Sequence, residues 1–268
     1  MPHMKALVSG ASIAGPALAL CLSRYGFDVT VVERSKQLRP GGQAVDFKGA
    51  VHRKVLERIG IYDDIRERQT GKTDLVIVDG KGKRQAVIPG EFIGGDVEIL
   101  RGDLAEILYG KTAETCEYIF GDSITTLTET PAGVEVTFEH TEPRTYDLVF
   151  GADGIHSAVR RLAFGPEDDF VEFLGYYYAI VGGSPIGAER ERSTGIMYNE
   201  PGVLATSGGP KAPQMYVFES AERDVDRRDE QAQRRELERR FAGVGWEVPR
   251  LLTEMRAFDE FYMGMISS

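Results

Sequence analysis

Lys5-Ala6-Leu7-Val8-Ser9-Gly10-Ala11-Ser12-Ile13-Ala14-Gly15-Pro16 is the stretch on which the fold turns. Its first five residues read as a short strand buried on both faces, the kind found in parallel sheets. Pro16 to Arg24 reads as a helix, because proline is tolerated in a first turn whose N–H groups have no intrahelical partner. Gly26 ends that helix, and Asp28-Val29-Thr30-Val31-Val32 is a β-branched strand that runs into Glu33 and Arg34. Strand, glycine turn, helix, strand and acid within about thirty residues is the context that a dinucleotide-binding fingerprint requires. Gly10 allows the tight turn and Gly15 lets helix and strand approach closely. Free N–H groups at the helix start, around Ser12, Ile13 and Ala14, would hold a diphosphate with the help of the helix dipole. Glu33 could accept hydrogen bonds from ribose hydroxyls. Ser12 stands where the fingerprint has its middle glycine, and so small a side chain still permits close backbone approach. The competing reading is a nucleotide-free strand–helix–strand unit with incidental glycines.

The composition sets the outer limits. The 268 residues suggest two domains or one large one. Glycine occurs 31 times, well above the usual ~7%, so much tight backbone is expected. With 42% hydrophobic and 28% charged residues the chain can bury a sizeable core. A net charge of −10 argues against nucleic acid or an anionic membrane surface as a partner. Cys21 and Cys116 form no disulfide framework, which fits a reducing cytosol, and the four histidines show no metal-ligand spacing. Ala6 to Ser23 is uncharged for 18 positions behind Lys5, as in a signal peptide, but Ser9, Gly10, Ser12, Gly15 and Pro16 interrupt it. A cytoplasmic protein is the expectation.

Further on, Tyr146-Asp147-Leu148-Val149-Phe150 reads as a second buried strand, followed by Gly151-Ala152-Asp153-Gly154 and then Ser157 and Arg160 on a short helix. Alone, Asp-Gly in a turn is commonplace. Taken in order, Gly10-x-Ser12-x-x-Gly15 with Glu33-Arg34, then Asp153-Gly154-x-x-Ser157-x-x-Arg160, resembles the class A flavoprotein monooxygenases. These are the single-component aromatic hydroxylases of the p-hydroxybenzoate, polyketide and tetracycline hydroxylase type. Ile99-Leu100-Arg101-Gly102-Asp103-Leu104 looks like the family segment whose arginine reaches the FAD, and Arg39 to Asp46, with Gln43, looks like the loop near the flavin ring.

The resemblance implies a Rossmann-like α/β FAD-binding domain with a second, antiparallel sheet that forms the substrate domain. It implies FAD as cofactor, NAD(P)H as co-substrate, and an aromatic or polyketide-like small molecule hydroxylated with oxygen. Arg34 and Arg101 would offer planar donors to cofactor oxygens, and Asp153 would cap or hydrogen-bond near the diphosphate and ribityl chain. For Arg34, Arg101, Gln43 and Asp46 an ordinary surface role stays open. No metal site and no catalytic residue is assigned.

The expected division is 1–72 plus 99–163 for the FAD domain and 73–98 plus 164–220 for the sheet domain. Residues 221–268 would form a charged helix and a return segment toward the FAD domain. Asp79-Gly80-Lys81-Gly82 reads as a hairpin turn, and strands are expected at 133–138, 170–181, 194–198, 203–207 and 214–219. Tyr176-Tyr177-Tyr178 fits either an aromatic pocket or plain sheet packing. Residues 222–240 carry seven acids and seven arginines, the pattern of a solvated helix. One family landmark is not matched. A Gly-Asp pair should follow the Asp-Gly motif, yet Gly-Asp occurs at 95–96, 102–103 and 121–122 and never after Asp153. That sets against the enzyme an alternative: a truncated, non-catalytic flavoprotein remnant, or an FAD-binding subunit completed by a second chain or by self-association.

Overall fold

A computed structural model describes residues 4–39, 44–182, 193–209, 212–221, 225–226 and 229–268. The chain opens with β1 (Lys5–Ser9), α1 (Ala14–Arg24), β2 (Asp28–Glu33) and β3 (Ala44–Phe47). Two helices, α2 (Gly49–Ile59) and α3 (Tyr62–Glu67), precede the hairpin β4 (Thr73–Val78) and β5 (Arg84–Ile88). Then come α4 (Gly90–Ile93), β6 (Val97–Leu100), α5 (Arg101–Thr112) and β7 (Glu117–Phe120). Strands β8 (Ile124–Thr130), β9 (Gly133–Phe138), β10 (Arg144–Tyr146) and β11 (Leu148–Gly151) lead to α6 (Ala158–Ala163). The remainder is β12 (Phe173–Val181), β13 (Ser193–Glu200), β14 (Val203–Gly209), β15 (Ala212–Glu219), α7 (Glu230–Arg240), α8 (Val248–Met255) and β16 (Phe261–Ser267). None of the described helices is long and apolar enough to cross a membrane.

These elements form two compact units. The first comprises Met1–Pro40, Ala50–Arg68 and Arg101–Val171. Its centre is a parallel sheet in the order β11-β1-β2-β7. Ala6 to Ser9 and Val29 to Val32 are buried without a break, because both faces of this sheet are covered. On one face Ala6, Val8, Val29 and Val31 pack with Ala11 and Ala19 at and within the α1 region. On the other, Leu7 and Val32 meet Ile124, Val136, Phe138 and Tyr146 of the antiparallel sheet β10-β9-β8, together with Val159 of α6. The alternation of neighbouring side chains between the two faces follows from the two-residue period of a strand. The expected single strand 146–150 is split. Tyr146 closes β10 and Leu148 opens β11, while the Asp147 carboxylate accepts the Lys5 N–H at 2.6 Å.

The second unit comprises Gly41–Gly49, Gln69–Leu100 and Glu172–Ser268. Its seven-stranded sheet has the order β16-β12-β15-β14-β13-β4-β5. Tyr177, Ala179 and Val181 of β12, with Tyr216 and Phe218 of β15, face Leu237 and Phe241 at α7 and Val248, Leu251 and Met255 of α8. Edge-to-face contacts of Phe241 with Tyr216 and Phe218, at 5.1 and 6.3 Å between ring centres, key the helix to the sheet.

The second sheet is antiparallel, as expected, at every described pair but one, since β13 runs parallel to β4. Other expectations change. Residues 97 and 98, expected in that sheet, do not enter it; they open β6, which pairs with β3 in a separate two-stranded ladder. Residues 221–268 group with the second unit, where β16 pairs with β12 and its Met263 and Met265 join the apolar side of the sheet. Of the charged helix expected over 222–240, residues 222–224 and 227–228 lie outside the described residues; α7 covers Glu230–Arg240, and Asp229 caps it by accepting the Ala232 N–H at 2.8 Å.

Candidate functional site

The first unit builds a backbone cradle between β1 and α1. Gly10 adopts a φ of +106°, and a Cβ there would lie 2.5 Å from the Ala152 carbonyl oxygen. Its N–H donates to the Val32 carbonyl at 2.8 Å, so the turn is fixed on both sides. A Cβ on Gly15 would lie 1.8 Å from the Gly10 carbonyl oxygen, so α1 can start this close to the strand only with glycine. Ile13, at the N-cap, supplies no side-chain acceptor, and the first turn of α1 holds no acid. The N–H groups and positive dipole end of the helix are therefore left for an anion from outside the chain.

Glu33 stands at the end of β2, but its oxygens already have partners. Oε2 accepts the Ala11 N–H and Oε1 the Ser35 N–H, each at 2.8 Å. The acid thus straps the glycine loop to the β2 turn and keeps lone pairs for a further donor. Arg34 is exposed beside it. Arg101, the first residue of α5, donates from Nε to Ser12 Oγ at 3.1 Å. The fingerprint's missing glycine is thereby joined to an arginine 89 residues away, a pairing that sequence spacing does not reveal.

Asp153 acts on the helix that follows it. Its carboxylate accepts Ser157 Oγ–H and the N–H groups of Ala158 and Val159, the latter two at 2.7 and 3.2 Å. Ser157 in turn caps α6 by accepting the Arg160 N–H at 3.0 Å. Arg160 donates to the Ile155 carbonyl at 2.5 Å and closes the turn through Gly154, whose φ is +83°. The Asp-Gly-x-x-Ser-x-x-Arg motif is a doubly capped helix start. It abuts the cradle through Ala152, whose N–H donates to Ser9 O at 2.8 Å.

Two candidates stand apart. Gln43 lies outside the described residues. Asp46 is in the second unit, where it accepts the Gly95 N–H at 2.6 Å. The Gly-Asp pairs upstream of the Asp-Gly motif have structural work of their own. Asp96 accepts the Gly49 N–H at 2.7 Å, and Asp103 lies in the first turn of α5. Asp122 is 3% exposed and takes the N–H groups of Ser123, Glu139, His140 and Thr141 at 2.8 to 3.0 Å.

Residues 3–242 match the family described as FAD binding domain. The chain belongs to the FAD binding domain family. Within it, the chain is 42% identical to an uncharacterized protein of Mycobacterium tuberculosis, over 97% of this chain and 72% of that one. It is 35% identical to a flavin-dependent monooxygenase of Legionella longbeachae, over 99% of this chain and 69% of that one. The crystal structure of tetracycline destructase Tet(55) superposes with a TM-score of 0.85 at 33% identity, covering 100% of this chain and 70% of that chain. As a member of the FAD binding domain family with monooxygenase relatives, the chain is an FAD-dependent oxidoreductase, and the non-catalytic alternative is not favoured.

Proposed function

We propose that this FAD-dependent oxidoreductase hydroxylates an aromatic or polyketide-like small molecule, with NAD(P)H as reductant and dioxygen as oxygen source. The observation that carries the reading is the cradle at Gly10 and Gly15. Both positions exclude any Cβ, and they lead into a helix start that lacks an internal anion. The residues present fit FAD. The N–H groups of Ser12, Ile13, Ala14 and Gly15 would hold its diphosphate, and Arg101 would add charge. Glu33 would accept a ribose hydroxyl while it keeps Ala11 in place. Asp153 would hold the α6 start and Gly154 against the cofactor. Bound FAD supplies the redox chemistry, taking hydride from NAD(P)H and activating oxygen.

On the substrate side, the face of the seven-stranded sheet turned away from α7 and α8 carries Tyr176, Tyr178 and Tyr262. Tyr178 and Tyr262 lie 5.7 Å apart between ring centres, while Tyr176 and Tyr262 are 42% and 51% exposed. A flat aromatic ring system suits such a surface. The likeness to Tet(55), a tetracycline destructase, supports a polycyclic substrate. Two free cysteines, Cys21 and Cys116, support placing the protein in the reducing cytosol.

Titration of the purified chain with FAD, followed by flavin fluorescence, tests the cofactor. Oxygen uptake with NAD(P)H in the presence of tetracyclines and simpler phenols, with the product's mass rising by one oxygen atom, tests the reaction. A chain that holds FAD but shows no substrate-stimulated oxygen uptake and no oxygenated product with any of them overturns the hydroxylase reading.

A further inference from the structure

Arg101 sits where electrostatics alone would not put it. It is the first residue of α5, at the positive end of that helix dipole, where a cation is disfavoured. It follows β6, whose four residues are all buried, so its backbone is anchored by the core. The chain carries 42 acidic side chains, yet among the described residues no carboxylate pairs with Arg101. Its hydrogen bond goes to the neutral Ser12 hydroxyl, at 3.1 Å through Nε. Ser12 itself is one residue before the N-cap of α1, a second helix start with no acid in its first turn. The guanidinium is thus hydrogen-bonded at the start of α1, whose first turn holds no acid, while Asp103 in the first turn of α5 makes no ion pair with it.

An arginine side chain is long, and its rotamer freedom opposes any ligand that must order it. A glycine at position 12 would leave that freedom intact. The serine takes one of the five guanidinium donors and leaves the four N–H bonds on the two terminal nitrogens for a planar, multiply charged acceptor. We propose that Ser12 is a positioning residue: its hydroxyl pre-sets the Arg101 guanidinium for the diphosphate of FAD, a role the fingerprint's middle glycine cannot perform. The proposal rests on the FAD reading of the cradle and adds to it a division of labour. The backbone binds, and the Ser12–Arg101 pair orients a charge.

A double-mutant cycle tests it, with FAD dissociation constants read by flavin fluorescence on Ser12→Ala, Arg101→Met and the double variant. Each thermal midpoint is measured without FAD as a check on folding. Removing a hydrogen bond to a charged group predicts about tenfold weaker binding for Ser12→Ala when Arg101 is present. Little further loss is expected in the Arg101→Met background. Ser12→Thr, which keeps the hydroxyl, restores most of the affinity, and Ser12→Gly behaves as Ser12→Ala despite matching the fingerprint. Inorganic pyrophosphate competes with FAD in the wild-type chain and competes less well in Ser12→Ala. An equal loss from Ser12→Ala with and without Arg101, or tighter binding by Ser12→Gly, overturns the positioning role while FAD binding stands. A folded wild-type chain that takes up no FAD overturns the cofactor reading itself, and the proposal with it.

Discussion

Asp122→Asn offers a test with a calculable size. The Asp122 carboxylate is 3% exposed, and burial alone would raise its pKa; hydrogen bonds from Thr141, Ser123 and His140 outweigh that and hold it at about 2 instead of 3.8. A carboxyl held low in the folded state stabilises the fold above its unfolded pKa and ceases to do so as pH falls through the folded one. At roughly 1.36 kcal/mol per pH unit, the interval from 3.8 to about 2 is worth about 2.5 kcal/mol at pH 7. About half of that survives at pH 3. Asparagine cannot ionise, and its NH2 group would face a donor where Oδ2 now accepts from Thr141. Urea unfolding of both proteins at pH 7 and pH 3 isolates the effect, because every other carboxylate titrates in both. The variant is expected to be less stable by at least about 2.5 kcal/mol at pH 7, and the gap should shrink by about half at pH 3. A gap that does not change between the two pH values refutes the reasoning. The consequence reaches the site, since Asp122 and Gly121 donate their N–H groups to the Glu33 and Ser35 carbonyls at 3.1 and 3.0 Å.

Two glycines give a matched pair. Gly15→Ala drives a methyl into the Gly10 carbonyl and should cost about 1–3 kcal/mol and most FAD binding, whereas Gly110→Ala, in a helix with nothing within 4 Å, should stabilise by about 0.5–1 kcal/mol. Thermal melts with and without FAD check both. Phe241→Ala removes a ring that is 1% exposed between α7 and the sheet, and is expected to destabilise the second unit by about 3–5 kcal/mol, read as an early unfolding phase in calorimetry.

The parts of this protein that depend on neighbours in sequence are legible in its letters. The course from β1 to β2 is one such part, because apolar strand runs, a positive-φ glycine and a proline in the helix's first turn each act within a few residues. The hairpin around Asp79 is another. What fails is pairing across distance. Nothing in Thr73 to Val78 announces that its second partner is a parallel strand beginning at Ser193. The alternation of Phe261, Met263 and Met265 identifies a strand but not the sheet that receives it. The site divides in the same way. Gly10 and Gly15 are read correctly as conformational necessities, but Ser12 looks like a tolerated departure until Arg101 is seen beside it. Asp153 carries its helix-capping contacts within six residues. The strap from Glu33 to Ala11 needed the fold.

The parallel pairing of β4 with β13 also sets a schedule for synthesis. Its strands lie on either side of the Arg101–Val171 segment, more than half of the first unit, and β12 finds its outer neighbour only at Phe261–Ser267. At roughly 5–20 residues per second, a nascent chain could complete the first unit's strands while the second unit's sheet is still a set of open edges. For those seconds the hairpin β4–β5 has no flank, and its exposed edge is open to the wrong partner. Slowing translation should therefore trouble this protein's second unit more than its first.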